Sequence, residues 1–208
     1  MIIKPPKIAI FASGSGSNAE ALIHTGKKNK IYQVECLICD QPDAKVIERA
    51  KNLKIAVEVI IQNKNENKTE YEDRLLKAMT NHGVEWVALA GFMKILSQHF
   101  LGYFYDKILG QNRVINIHPS LLPLHRGLRG YEKSYTDKSD FAGCTVHFVD
   151  SGIDTGQIID QKIFAKIKNE DFKSFKARGL KIENDFFPEI LEKLVTNKVK
   201  LGTFDDNK

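Results

Sequence analysis

Asn116 and His118 stand two residues apart in the stretch VINIHPSLLP, running from Val114 to Pro123. The apolar residues there read as a buried strand, and residues two apart on a strand face the same way. The amide and the imidazole therefore project together, while Ile115 and Ile117 pack on the other side. Pro119 cannot continue a ladder and fixes the strand exit. Both polar side chains can donate a hydrogen bond to an oxygen that gains charge, which is what acyl transfer requires. A lone buried histidine is more often a satisfied core residue, but the asparagine beside it at a strand end favours chemistry. To be charged or oriented, His118 needs a carboxylate. The segment HFVDSGIDTGQII (147–159) supplies Asp150 and Asp154 in a glycine-containing turn, where either is equally a turn former. His147 lies close by, within a strand pattern that gives it a purely structural alternative.

A second candidate is SGSGSNAEAL, Ser13 to Leu22. Gly14, Gly16 and Ala19 form G-x-G-x-x-A between a strand and a helix. Glycines let a backbone approach an anion, and the helix N-terminus presents unpaired N–H groups. Ser15, Ser17 and Asn18 add side-chain donors. The pattern points to a phosphate more firmly than to a dinucleotide, for which Glu35 or Asp40 would be the ribose-binding acid. A capped glycine turn without a ligand is the plainer reading.

These residues need a scaffold, and the chain alternates short apolar runs with helical spacing. KIAIFA (7–12), VECLIC (34–39), AVEVII (56–61) and WVALA (86–90) read as strands. Asn18–Lys28, Ala44–Lys51 and Thr69–His82 read as helices, with Asp43 as cap for the second and Lys68 or Thr69 for the third. VINIH (114–118), GCTVHFV (143–149) and IIDQKIF (158–164) continue the strands. A last helical segment spans Asp171 to Val195, weakened by Gly179 and kinked or divided at Pro188. The expected fold is α/β: a doubly wound, mostly parallel sheet with helices on both faces. With no persuasive linker, residues 1–208 form a single expected domain. Ligands of such sheets bind beyond the carboxyl ends of the strands. That rule selects SGSGSN, GFMKIL and HPSLLP.

Composition narrows the classes. The 208 residues are 42% hydrophobic and 27% charged, as in globular proteins. No apolar run is long enough to cross a bilayer. The apolar run near the N-terminus is short and followed by glycines, so it reads as a first strand, and a cytoplasmic location is expected. The net charge of +5 is spread over lysines mixed with acids, which suits a solvated surface or anionic substrates and not nucleic acid. Three cysteines do not make a disulfide framework. Cys36 and Cys39 form a CxxC, but on a strand that spacing turns the thiols to opposite faces. Both read as small core residues, and no metal is expected.

Together FASGSGSN, EYEDRLL, LAGFMKILS, INIHPSLLP, GCTVHFVDSGIDTGQII and IENDFFPEIL cover nearly the whole chain. In that order they resemble the phosphoribosylglycinamide formyltransferase family, folate-dependent enzymes with a Rossmann-like formyltransferase fold. The resemblance implies transfer of the formyl group of 10-formyltetrahydrofolate, the co-substrate, to the amine of glycinamide ribonucleotide in de novo purine biosynthesis. It implies Asn116 and protonated His118 as oxyanion donors, with Asp154 raising the histidine pKa. Gly16, Ser17 and Asn18 match the ribonucleotide phosphate segment, and Leu180, Lys181, Ile182 and Glu183 the helix that meets the ribonucleotide. Glu183 would hold the amine. Met93, Lys94, Ile95 and Leu96 match the folate-contacting strand exit. Asp150, Ser151, Gly152, Ile153 and Asp154 match the loop that wraps the pterin, and Lys68 matches a cationic position for an anionic group. Expected partners are these small molecules, with no nucleic acid or membrane, and the protein is a monomer or homodimer.

Departures from the family pattern gather after SLLP, where LHRGLRGYEKSY places Arg129 and Tyr131 at positions commonly held by other residues. Lys94 replaces a common arginine, Gln157 stands where proline is expected, and the stretch from Ser97 to Asn116 is longer than usual. Methionyl-tRNA formyltransferase shares the catalytic segment but carries a further C-terminal domain. Formyltetrahydrofolate deformylase shares the Asn, His and Asp but usually has an N-terminal regulatory domain. A nucleotide-binding oxidoreductase or sensor would explain the glycines and leave Asn116, His118 and Asp154 without a role. A catalytically inactive scaffold of the same fold is the remaining alternative.

Overall fold

Strand β1 (Lys7–Ala12) is buried along almost its whole length, as expected of a parallel strand covered on both faces. Its side chains alternate. Ile8, Ile10 and Ala12 join one core with Leu22, Val46 and Phe187, while Ala9 and Phe11 join another with Tyr71, Leu75 and Phe100. This computed structural model describes residues 4–198, so the outer ends of the expected 1–208 domain lie outside the described residues.

The following elements are α1 (Ser17–Asn29), β2 (Gln33–Cys39), α2 (Lys45–Asn52), β3 (Ala56–Val59), α3 (Lys68–His82), β4 (Trp86–Leu89) and α4 (Gln98–Tyr103). A two-stranded ribbon, β5 (Tyr105–Asp106) with β6 (Gln111–Asn112), leads to β7 (Val114–His118), α5 (Gly130–Thr136), β8 (Phe141–Phe148), β9 (Ile158–Ala165) and α6 (Phe172–Val195). The main sheet has the order β3-β2-β1-β4-β7-β8-β9. Pairings from β3 to β7 are parallel, and β8 and β9 add antiparallel. The sheet is doubly wound and mostly parallel. Its order reverses between β1 and β4, so the crevice for ligands opens beside the exits of β1, β4 and β7.

Several local expectations change. The third helix is capped by Asn67, whose side chain accepts from Glu70 N while Glu70 accepts from Asn67 N. That box sits one residue before the expected Lys68 or Thr69. Ala44, not Asp43, precedes α2, and it makes no side-chain cap. β3 ends at Val59, short of Ile61. Pro188 does not divide α6, which is one continuous helix. An interior proline costs ~3 kcal/mol. Burial of Phe186, Phe187, Ile190, Leu191 and Leu194 around it, each at roughly 1.5–3 kcal/mol, outweighs that cost. Cys36 and Cys39 lie in opposite cores as free thiols.

Candidate active site

β7 delivers His118, 5% exposed, and the half-buried Asn116 on one face. Antiparallel pairing then sets His147 of β8 directly opposite Asn116 and Thr145 opposite His118. Cross-strand partners have adjacent side chains, and the Asn116 Nδ2 lies 3.1 Å from His147 Nε2. His147 Nδ1 is 2.8 Å from the Phe148 carbonyl, which can only accept. A neutral His147 therefore accepts from Asn116 through Nε2. A charged one can also donate to Asp154 Oδ1, 3.5 Å away.

Asp154 reaches this group from the loop between β8 and β9. A Phe148 N to Gln157 O hydrogen bond closes the loop. Gly156 is required at the closure, because a Cβ there would lie 1.8 Å from the Phe148 carbonyl oxygen. Asp150 braces the turn, accepting from Gly152 N and the Thr155 hydroxyl. Asp154 itself has φ 51°, in the left-handed region. Its Oδ2 lies 3.2 Å from His118 Nδ1 and accepts from Gly127 N at 2.8 Å. Its Oδ1 is 3.4 Å from Asn116 Nδ2. Burial alone would push the Asp154 carboxyl up. The contacts with His147, Gly127 N–H and His118 overcome it and bring the value to about 2. For His118 the balance runs the other way. Burial pushes the imidazole down and outweighs the opposing pull of Asp154. The carboxylate favours a protonated ring, as anticipated, but the net displacement is downward. His118 Nε2 faces the His125 carbonyl at 2.9 Å, so both ring nitrogens point at acceptors.

At the other end stands the glycine-rich turn. Gly16 has φ 80°, and a Cβ on it would lie 2.3 Å from Val46 Cγ2, so only glycine fits. It precedes α1 and leaves the N-terminal N–H groups of that helix without a side-chain cap. Asn18 Nδ2 donates to Glu183 Oε2 at 2.6 Å, and the Tyr131 hydroxyl donates to Glu183 Oε1. Glu183 is 3% exposed. Burial pushes its carboxyl up to about 7 against the pull of Tyr131, Asn18 and Lys176.

One cleft of about 620 Å³ joins the two ends. Gly16, Ser17, Asn18, Asn116, His118, Asp154, Leu180 and Glu183 all line it. Met93, Lys94, Ile95 and Leu96 line it after β4, and Asp150, Gly152 and Ile153 from the β8–β9 loop. Lys94 Nζ reaches Gln62 Oε1 at 3.1 Å and lies over the Tyr71 ring. Lys68, Ser151, Lys181 and Ile182 are not among the lining residues. The first three are exposed, and Ile182 packs on the core. The sequence left His147 with a structural alternative and did not anticipate Gly127 or the link from Tyr131 to Glu183. The signal for His147 was its place in the strand that ends before Asp154.

The sequence profile described as "Formyl transferase" matches residues 6–191. This chain belongs to the formyl transferase family. It is 37% identical over 91% of its length to the phosphoribosylglycinamide formyltransferase of Bacillus subtilis, covering 94% of that protein. It is 32% identical over 96% of its length to the human trifunctional purine biosynthetic protein adenosine-3, of which it spans only 19%. The crystal structure of phosphoribosylglycinamide formyltransferase from Bacillus halodurans superposes with a TM-score of 0.84 at 34% identity, over 91% of this chain and 95% of that one. Among the described residues of this formyl transferase, no helix is long and apolar enough to cross a membrane.

Proposed function

We propose that this formyl transferase moves the formyl group of 10-formyltetrahydrofolate to the amine of glycinamide ribonucleotide, in purine biosynthesis. One observation carries the reading. Asn116, His118 and Asp154 meet within hydrogen-bond reach in the cleft that also holds the buried acid Glu183 beside a glycine-rich helix N-terminus. The named relatives support it.

The folate supplies an activated formyl carbon. Met93 and Ile153, 62% and 53% exposed at the cleft, give apolar edges beside polar groups, which suits a flat ring with a polar rim. Asn116 Nδ2 and His118 Nε2 are the donors for the carbonyl oxygen that gains charge. In this structure their hydrogens engage Asp154 Oδ1 at 3.4 Å and the His125 carbonyl. A substrate oxygen would take over these two contacts. As the amine nitrogen bonds to the formyl carbon and the bond to the folate nitrogen breaks, the amine loses a proton and the leaving nitrogen gains one. His118 carries protons for that exchange, with Asp154 holding Nδ1. Gly16, Ser17 and Asn18 hold the phosphate at the start of α1, with Leu180 and Glu183 facing the rest of the ribonucleotide. We also read the chain as one domain acting in the cytoplasm, where three buried free thiols are at home.

The test is folate product release followed by absorbance, with and without glycinamide ribonucleotide. Turnover only with the ribonucleotide is expected. Release without an acceptor would make the protein a hydrolase of the same donor, and no release in either case would remove the assignment.

A further inference from the structure

Gly179 lies inside α6, where glycine costs a helix about 1 kcal/mol relative to alanine. The Tyr131 ring occupies the space its side chain would take. A Cβ at Gly179 would lie 2.4 Å from Tyr131 Cε1 and 3.1 Å from the hydroxyl. Tyr131, buried on α5, uses that gap to reach Oε1 of Glu183. Asn18 Nδ2 holds the other oxygen. When Glu183 is ionised it only accepts, so the Asn18 atom on it is nitrogen, and Oδ1 is left buried without a partner. A buried acceptor in that state costs free energy that an N–H donor from a ligand would recover.

We propose that Tyr131 is a positioning residue for the acceptor substrate: it fixes the Glu183 carboxyl, which with the unpartnered oxygen of Asn18 receives the hydrogens of the incoming amine. The inference rests on the acceptor being the ribonucleotide amine, as read above. It concerns a residue of the α5 loop, where this chain departs from the family pattern. Asn18 on α1, Tyr131 on α5 and Lys176 on α6 are the groups that act on the carboxyl, which in turn pushes up the buried Cys144 thiol on β8.

Tyr131→Phe keeps the ring in the Gly179 gap and removes only the hydroxyl. The KM for glycinamide ribonucleotide should rise roughly tenfold, the scale of a hydrogen bond to a charged group, while the KM for the folate stays the same. The Glu183 titration, followed by ¹³C NMR of labelled glutamate with Glu183→Gln as the assignment control, should move above the wild-type midpoint. Gly179→Ala, which displaces the ring, should act in the same direction, and the double variant should add little to either single one. A midpoint unmoved by Tyr131→Phe overturns the proposal whatever the kinetics. A wild-type protein with no ribonucleotide-dependent turnover sinks the reaction and with it the acceptor role, while the titration still decides whether Tyr131 fixes the Glu183 carboxyl.

Discussion

His118 Nδ1 lies 3.2 Å from Asp154 Oδ2, and each residue favours the charged form of the other. The carboxylate wins its contest with burial and falls to about 2, while the imidazole loses and is displaced downward. The proton that the proposed reaction would use on His118 is therefore held against burial by Asp154.

Replacing Asp154 with Asn leaves burial of His118 opposed only by the His125 carbonyl. The basic limb of the turnover–pH profile, where His118 loses its proton, should move to lower pH. Turnover at neutral pH should fall with it. A profile that keeps its basic limb in place would reject the coupling.

His118→Ala should nearly abolish turnover with the fold kept, and Asn116→Ala should lower kcat by ~10²–10³, as for loss of one oxyanion donor. Thermal melts beside the kinetics separate lost chemistry from lost folding. Normal turnover in either variant would remove that residue from the mechanism.

The two glycines of the first turn should respond differently. Gly16→Ala meets both a positive φ and the Val46 side chain, so a loss of about 2 kcal/mol and a raised ribonucleotide KM are expected. Gly14→Ala meets nothing within 4 Å and should melt like the wild type. Denaturant unfolding of the pair checks this, and equal losses would contradict it.

Glu183→Gln should trade function for stability. The carboxyl is raised from 4.5 to about 7, so the stability tied to its protonation is complete below 4.5 and is lost as pH rises through about 7. An amide has no such dependence, and Asn18 can turn its unpartnered oxygen to accept from it. At pH 8 the variant should be more stable by an amount on the order of 3 kcal/mol, vanishing near pH 4, with a raised ribonucleotide KM. Parallel melting curves across that range would refute the argument.

Local patterns carried much of this structure. The Asn116–His118 pair is readable because strand alternation is set within three residues, and Gly16 because its turn lies between a strand and a helix. The link from Asn116 to His147 is not. It depends on antiparallel register across the sheet, and no short run encodes its neighbour's direction. Glu183 is flanked by exposed Lys181 and Asp185 and reads equally as a solvated residue. Only the packing of α1 and α5 over it, from distant parts of the chain, makes it an interior acid. The Asn67–Glu70 capping box was present in the sequence but lay within a polar run that resembles an unstructured loop.

Asp154 adopts a backbone conformation that glycine reaches at less cost. Glycine there would relieve the backbone but forfeit the contacts to Gly127 N–H and His118 that hold the carboxylate charged, so selection for heat resistance alone, in a library never assayed for turnover, should still keep the aspartate. Survival of the aspartate would therefore not report selection for chemistry: the strained backbone persists because the side chain ties the β8–β9 loop to β7 and to the segment at Gly127.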